Sequence, residues 1–122
     1  WILDDAAVFV AREVKRGKTY DGIVLDPPAF GHGPDGKAWR VERDLAPLLE
    51  QCCDLLSDDP SFLLVNGYAT NDAPDSFHML LAGIFHRKRK GKHIDIDADE
   101  LRLTAEDGRT LSTGMYARCS FA

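Results

Sequence analysis

The chain has 122 residues, 44% of them apolar and 29% charged, with a net charge of −5. That size and balance fit one globular domain at most and exclude a disordered or fibrous chain. A negative net charge opposes a broad phosphate-binding surface, and no apolar run is long enough to cross a bilayer.

Trp1-Ile2-Leu3 reads as the end of a strand, with Asp4 or Asp5 as the N-cap of a helix. Ala6, Phe9, Val10 and Val14 recur at helical spacing, and Gly17 after Lys15-Arg16 closes that helix. Because the chain opens inside a strand-like pattern, it reads as a fragment of a longer domain.

Ile23-Val24-Leu25 is a short β-branched apolar run between turn formers, the pattern of a strand buried on both faces of a parallel sheet. Pro27 and Pro28 donate no backbone N–H, so the strand must end at Asp26. Pro27 also drives Asp26 into extended conformation, which sets its carboxylate just past the strand's carboxyl end. Ligands bind at that edge in open α/β sheets. Asp26, Pro27, Pro28 and, two residues on, Phe30 are therefore candidate site residues.

Gly31-His32-Gly33-Pro34-Asp35-Gly36 matches Gly-x-Gly-x-x-Gly, but a dinucleotide fingerprint needs a helix start immediately after it. Pro34 removes a donor and Lys37-Ala38-Trp39-Arg40 starts no clear helix. The stretch reads as a mobile loop that closes over substrate, or as a plain solvated loop.

Val41, Leu45, Leu48, Leu49, Cys52, Leu55 and Leu56 mark one helix face, and Pro47 predicts that the first turn lies near Asp44. Phe62-Leu63-Leu64-Val65 is a second buried parallel strand that empties into Asn66-Gly67-Tyr68-Ala69, so the two strand ends should converge. Asn66 is placed either to orient substrate or to tie up loop backbone.

Asp72 and Pro74 begin a third helix with Phe77, Leu80, Leu81, Ile84 and Phe85 on one face. The basic run Arg87 to Lys92 suits that helix's C-terminal dipole, with phosphate contact as the alternative. His93 to Asp97 and Glu100 to Leu103 alternate, Asp107-Gly108 signals a hairpin turn, and Thr110 to Phe121 supplies the return strand. His93, Asp95 and Asp97 read as the wet face of an edge strand, with a metal cluster as the alternative. Cys52, Cys53 and Cys119 have no Cys-x-x-Cys spacing and read as small hydrophobes in a reducing cytoplasm.

Asp26-Pro27-Pro28-Ala29-Phe30 resembles the Asp/Asn-Pro-Pro-aromatic motif of class I S-adenosylmethionine-dependent methyltransferases. The likeness is nearest to bacterial enzymes related to the large-subunit ribosomal RNA cytosine methyltransferases. It continues through Trp1-Ile2-Leu3-Asp4-Asp5-Ala6, Gly31-His32-Gly33 to Trp39, and Gly114-Met115-Tyr116-Ala117-Arg118. The resemblance implies an α/β fold: a partial Rossmann-like methyltransferase sheet, parallel strands plus a C-terminal antiparallel hairpin. Residues 1–122 then form the C-terminal part of one methyltransferase domain, without the N-terminal half that carries the cofactor's glycine loop. In the family's strand order 3-2-1-4-5-7-6, Trp1 to Asp4 matches the third strand, Ile23 to Asp26 the fourth and Phe62 to Asn66 the fifth.

The resemblance further implies that Asp5 accepts a hydrogen bond from the adenine amino group of S-adenosylmethionine while the N–H of Ala6 faces the ring. Asp26 would serve both cofactor and acceptor. The Asp26 carboxylate and the Pro27 carbonyl would aim an amine at the methyl group, Pro28 would hold the turn, and Phe30 would stack on an RNA base. Trp39 would extend that wall or pack the loop, and Asn66 would contact substrate. The family's carbon-5 enzymes carry a cysteine just after the fifth strand, and Asn66-Gly67-Tyr68-Ala69-Thr70 has none, which places that chemistry in doubt. The expectation is a cytoplasmic RNA methyltransferase acting on ribosomal RNA, with no membrane partner and no metal. Alone, the chain should be inactive and hold the cofactor weakly or not at all. The alternative is a non-catalytic α/β module that binds a nucleotide or a partner.

Overall fold

Helix α1 spans Ala6–Lys15, and both its ends follow from local chemistry. The Asp5 carboxylate accepts the N–H of Val8 at 3.0 Å. At the other end Gly17, at φ 67°, lets its own N–H reach the Val14 carbonyl and the Lys18 N–H reach that of Glu13. That pair of bonds is the Schellman closure a left-handed glycine permits. The structure is a computed structural model that describes residues 1–33, 35–67 and 74–121.

The chain continues through β1 (Gly22–Leu25), β2 (Phe30–His32), β3 (Ala38–Arg40), α2 (Val41–Leu55), β4 (Phe62–Gly67), α3 (Pro74–Lys88), β5 (Ile94–Thr104) and β6 (Thr110–Phe121). One sheet has the order β1-β4-β6-β5, and β2 pairs with β3 separately. β1 and β4 are parallel, with Ile23 opposite Leu63 and Leu25 opposite Val65. β6 runs antiparallel to β4, with Ala117 opposite Val65 and Cys119 opposite Leu63. This is the expected mixed α/β sheet, and the β5–β6 turn falls at Asp107-Gly108, where Gly108 donates to the Ala105 carbonyl.

The core draws on one face of the sheet. Leu63, Val65, Ala117 and Cys119 are buried there against Val10 of α1, Leu49 and Cys52 of α2, and Leu81, Ile84 and Phe85 of α3. Residues of opposite parity, Val24 among them, stay out of that cluster.

Four expectations need correction. β1 is not buried on both faces: Ile23 and Leu25 are half-buried and Val24 is 59% exposed, because β1 is an edge strand covered on one side. Trp1–Leu3 forms no strand and is exposed, since nothing in the sheet pairs with it. Helix α2 begins at Val41, so Pro47 lies inside it and not in the first turn. At the start, Asp44 accepts the backbone N–H of the N-cap residue Arg40 at 2.8 Å. Lastly, the glycine-rich stretch is flanked by two paired strands: Phe30 pairs with Arg40, Gly31 with Trp39 and His32 with Ala38. No helix follows its glycines directly, consistent with rejecting a dinucleotide loop. Asp72 and Tyr68-Ala69-Thr70 lie outside the described residues.

Four of the five cations of the basic run bind α2 or the residues just after it. Arg87 pairs with Glu50 and Lys88 with Asp54. The Arg89 guanidinium donates to the Ser57 carbonyl at 2.7 Å, to that of Cys53 at 3.0 Å, and to that of Leu56. Lys92 reaches the Asp58 carbonyl at 3.0 Å. The Cys53 and Leu56 carbonyls are orphans of the α2 end and the other two lie just past it, so the run fastens α3 to α2. At the end of the sheet, Asp97 accepts from the Tyr116 hydroxyl at 2.9 Å and pairs with Arg118 at 3.4 Å.

Two predictions follow from these contacts. Arg89→Ala should lower stability by about 2–3 kcal/mol, the scale of charge-assisted bonds to partly buried carbonyls. Lys90→Ala should stay within about 0.5 kcal/mol. Urea unfolding measures both, and matching midpoints would contradict the clamp. The second concerns acid. The Arg43 guanidinium first, then the Arg40 N–H, hold the Asp44 carboxyl down from 3.8 to about 2. Its stabilising contribution is therefore complete above 3.8 and is lost as pH falls through about 2. Asp44→Asn should melt below the unsubstituted chain at neutral pH, with the gap closing across that window. A gap that does not change with pH would contradict the assignment.

Candidate active site

The parallel pairing of β1 with β4 sets the site. Leu25 lies opposite Val65, so Asp26 and Asn66, the next residue of each strand, emerge at the same carboxyl edge. Asp26 is exposed and Asn66 half-buried. The turn between them and the hairpin is held from two sides: the Trp39 indole N–H donates to the Pro28 carbonyl at 2.7 Å, and the Val41 N–H donates to that of Ala29 at 3.0 Å. Neither bond takes up the Asp26 carboxylate or the Pro27 carbonyl.

Phe30 follows at 52% exposure. The His32 ring meets it edge-on with centroids 5.0 Å apart, and the Arg40 guanidinium lies 5.6 Å from its centroid. Phe30 and Arg40 are opposite each other in the hairpin, while Trp39 pairs with Gly31. Adjacent strand residues face opposite ways, so Trp39 and Phe30 do not form one wall. Trp39 lies on the other side, in a cleft.

That cleft has a volume of about 540 Å³ and lies between the start of α1, the β2–β3 hairpin and α2. Val8, Ala11, Trp39, Pro47 and Leu48 give it an apolar lining, and Asp4, Asp5, Asp35, Asp44 and Lys37 a charged rim, in which Asp4 is paired with Arg12 and Asp44 with Arg43. Asp5 both caps α1 and lines the cleft. A Cβ added at Gly33 would come 3.9 Å from Asp5 Oδ2, so the hairpin tip and the helix start close on one another. Gln51 also lines it, and its Oε1 is buried without a hydrogen-bond partner among the described residues. An unpaired buried acceptor is costly unless a ligand donor meets it.

An adenosyl group fits this lining: apolar walls for a ring, and Asp5 and Gln51 as acceptors for an amino group. Ala6 is the first residue of α1, where backbone N–H groups have no partner within the helix. The structure thus brings Asp5 and Trp39 to one cleft, and Asp26, Pro27, Pro28 and Phe30 to the adjoining edge. Asn66 joins that edge from β4. Sequence reasoning passed over His32, Arg40 and Gln51. The Asp35-Gly36 pair is a hairpin-turn signal that points to the hairpin itself, but read as a two-residue turn it sets the register one residue away from the observed Phe30–Arg40 pairing.

None of the cysteines is a nucleophile candidate. Burial pushes the thiols of Cys52 and Cys119 up to about 12 and raises that of Cys53, so the thiolate each would need is suppressed.

Neither a family model nor a curated protein matches the chain. Among solved structures it is similar to the SAM-dependent methyltransferase from Agrobacterium tumefaciens, with 32% identity and a TM-score of 0.83 over 98% of this chain and 39% of that one. It is also similar to SMU.776, complexed with SAH, at 16% identity and a TM-score of 0.67 over 98% and 30% of the two chains. Precorrin-6y C5,15-methyltransferase from Geobacter metallireducens has a similar fold at 11% identity, with a TM-score of 0.52 over 99% and 52%. The chain spans well under half the length of the first two. The chain thus shares the methyltransferase fold of these structures, and at 32% identity it is similar to a part of the Agrobacterium S-adenosylmethionine-dependent enzyme.

Proposed function

We propose that this chain forms the acceptor side, and the adenine side, of an S-adenosylmethionine-dependent methyltransferase acting on a base of RNA, with ribosomal RNA as the substrate class. The observation that carries the reading is the placement of Asp26 at the carboxyl edge, locked by Pro27 and Pro28 and held by Trp39 through the Pro28 carbonyl. The 32% identity to the Agrobacterium methyltransferase supports it. RNA comes from the resemblance of the Asp-Pro-Pro-x-Phe motif, and the exposed Phe30 ring supports a planar acceptor.

When bound, S-adenosylmethionine supplies an electrophilic methyl carbon. This chain's own residues then position the partners. Asp5 Oδ2 and the Ala6 N–H fit the adenine edge. The Asp26 carboxylate and the Pro27 carbonyl accept N–H bonds from an exocyclic amine and aim its lone pair, the positioning that supplies most of the acceleration in such a displacement. Phe30 stacks on the base, and Asn66 orients it from the neighbouring strand. The suppressed thiols argue against covalent addition to a ring carbon.

The test joins this chain to the remainder of the domain as its relatives carry it, then compares Asp26→Asn with Asp26→Ala. The asparagine keeps one carbonyl acceptor and should retain partial activity. The alanine should lose about 3 kcal/mol of transition-state stabilisation, while cofactor affinity moves less than the rate in both. Normal turnover in the alanine variant would remove Asp26 from the mechanism. Lost cofactor binding with intact turnover at saturation would make it a cofactor ligand instead.

A further inference from the structure

We infer that the outward face of the β2–β3 hairpin, Phe30 with His32 and Arg40, is the docking surface for an unpaired nucleic-acid strand, and that Arg40 contacts a phosphate beside the base that Phe30 stacks. The inference rests on the reading that Phe30 meets the acceptor, and it adds a substrate-positioning residue to that reading.

Three observations converge. Phe30 keeps half of its surface exposed although Arg40 lies 5.6 Å from its centroid and His32 packs edge-on at 5.0 Å. A cross-strand Phe–Arg pair steadies a two-stranded hairpin, but it leaves ring surface free to stack. Second, Arg40 forms none of the ion pairs among the described residues. The nearby carboxylate of Asp44 is taken on both oxygens by Arg43, and Arg40 uses only its backbone N–H on it. Arg87, Lys88 and Arg89 at the α3 end are bound to α2 and the residues just after it, so they offer no comparable phosphate contact, and Lys90 has no aromatic partner beside it among the described residues. Third, the patch is continuous with the turn that carries Asp26, because Phe30 lies four residues beyond it and the turn is fixed by Trp39.

An aromatic face beside a cation freed from ion pairing is the chemistry of single-strand recognition: the ring takes a base and the guanidinium an adjoining phosphate. A duplex keeps its base faces stacked on one another and presents none to Phe30. The chain's net charge of −5 opposes the same strand, so binding should be weak and strongly salt-dependent.

Fluorescence anisotropy with labelled single-stranded RNA, single-stranded DNA and duplex RNA, without cofactor and across a low-salt series, tests this. The single strands should bind ahead of the duplex. Arg40→Gln should weaken binding and flatten the plot of log affinity against log salt by about 0.7, the contribution of one phosphate contact on a single strand. Phe30→Leu should weaken binding about tenfold with the slope unchanged, as loss of one stacked base does. Lys90→Gln, a cation far from the hairpin in sequence and fold, should change neither. Both patch residues are exposed, and matched circular-dichroism melts would confirm that the fold is retained. Preference for the duplex, no binding of either single strand, or an Arg40→Gln variant with unchanged affinity and slope would each overturn the inference. Patch-dependent binding in a completed domain that transfers no methyl group would overturn the methyltransferase reading alone.

Discussion

The parallel contact between β1 and β4 is the constraint on which the rest depends. Two strands that run the same way deliver their carboxyl ends to one edge, and here those ends are Asp26 and Asn66. A parallel neighbour needs a long crossover, and the hairpin and α2 supply it. That crossover then holds the edge it starts from: Trp39 binds the Pro28 carbonyl and Val41 that of Ala29. Connection and site are one piece of structure.

The same piece separates two tasks. Alternation along β3 puts Trp39 into a charged-rimmed, partly apolar cleft with Asp5 and Gln51, and puts Arg40 outside with Phe30. One strand thus has a cleft-side face, where we propose the cofactor, and an outward face, where we propose the acceptor, with the Asp26 turn at its shoulder. On the far side of α2, Arg89 and its neighbours tie up carbonyls at the helix's end and just past it, fixing the element against which the hairpin packs.

Much of this was legible in the sequence. Consecutive prolines state where β1 must end, and the apolar runs at Ile23-Leu25 and Phe62-Val65 state which segments lie in the sheet. Burial on both faces was not legible for β1, because a local run does not reveal how many layers cover it; among the described residues one does, and Val24 is left exposed. Pro47 misled for a related reason. Proline disfavours a helix interior, but the Asp44 bond to the Arg40 N–H and the packing of Leu45, Leu48 and Leu49 outweigh the lost bond. The hairpin was hidden because its glycines matched a more familiar pattern, while the turn signal at Asp35-Gly36 is only two residues long. The role of the basic run could not be read locally at all, since its partners lie more than thirty residues away on α2 or just after it.

The central claim is that the cleft and the Asp26 edge are the two halves of one methyl-transfer site, joined through Trp39. The most direct measurement is an NMR titration of the completed domain with S-adenosylhomocysteine, following the Ala6 amide, the Trp39 indole N–H and the Phe30 ring. The account predicts that the Ala6 and Trp39 signals shift together on saturation, and that Phe30 responds only when a single-stranded RNA oligonucleotide is added. Saturable binding that leaves both Ala6 and Trp39 unmoved would contradict it.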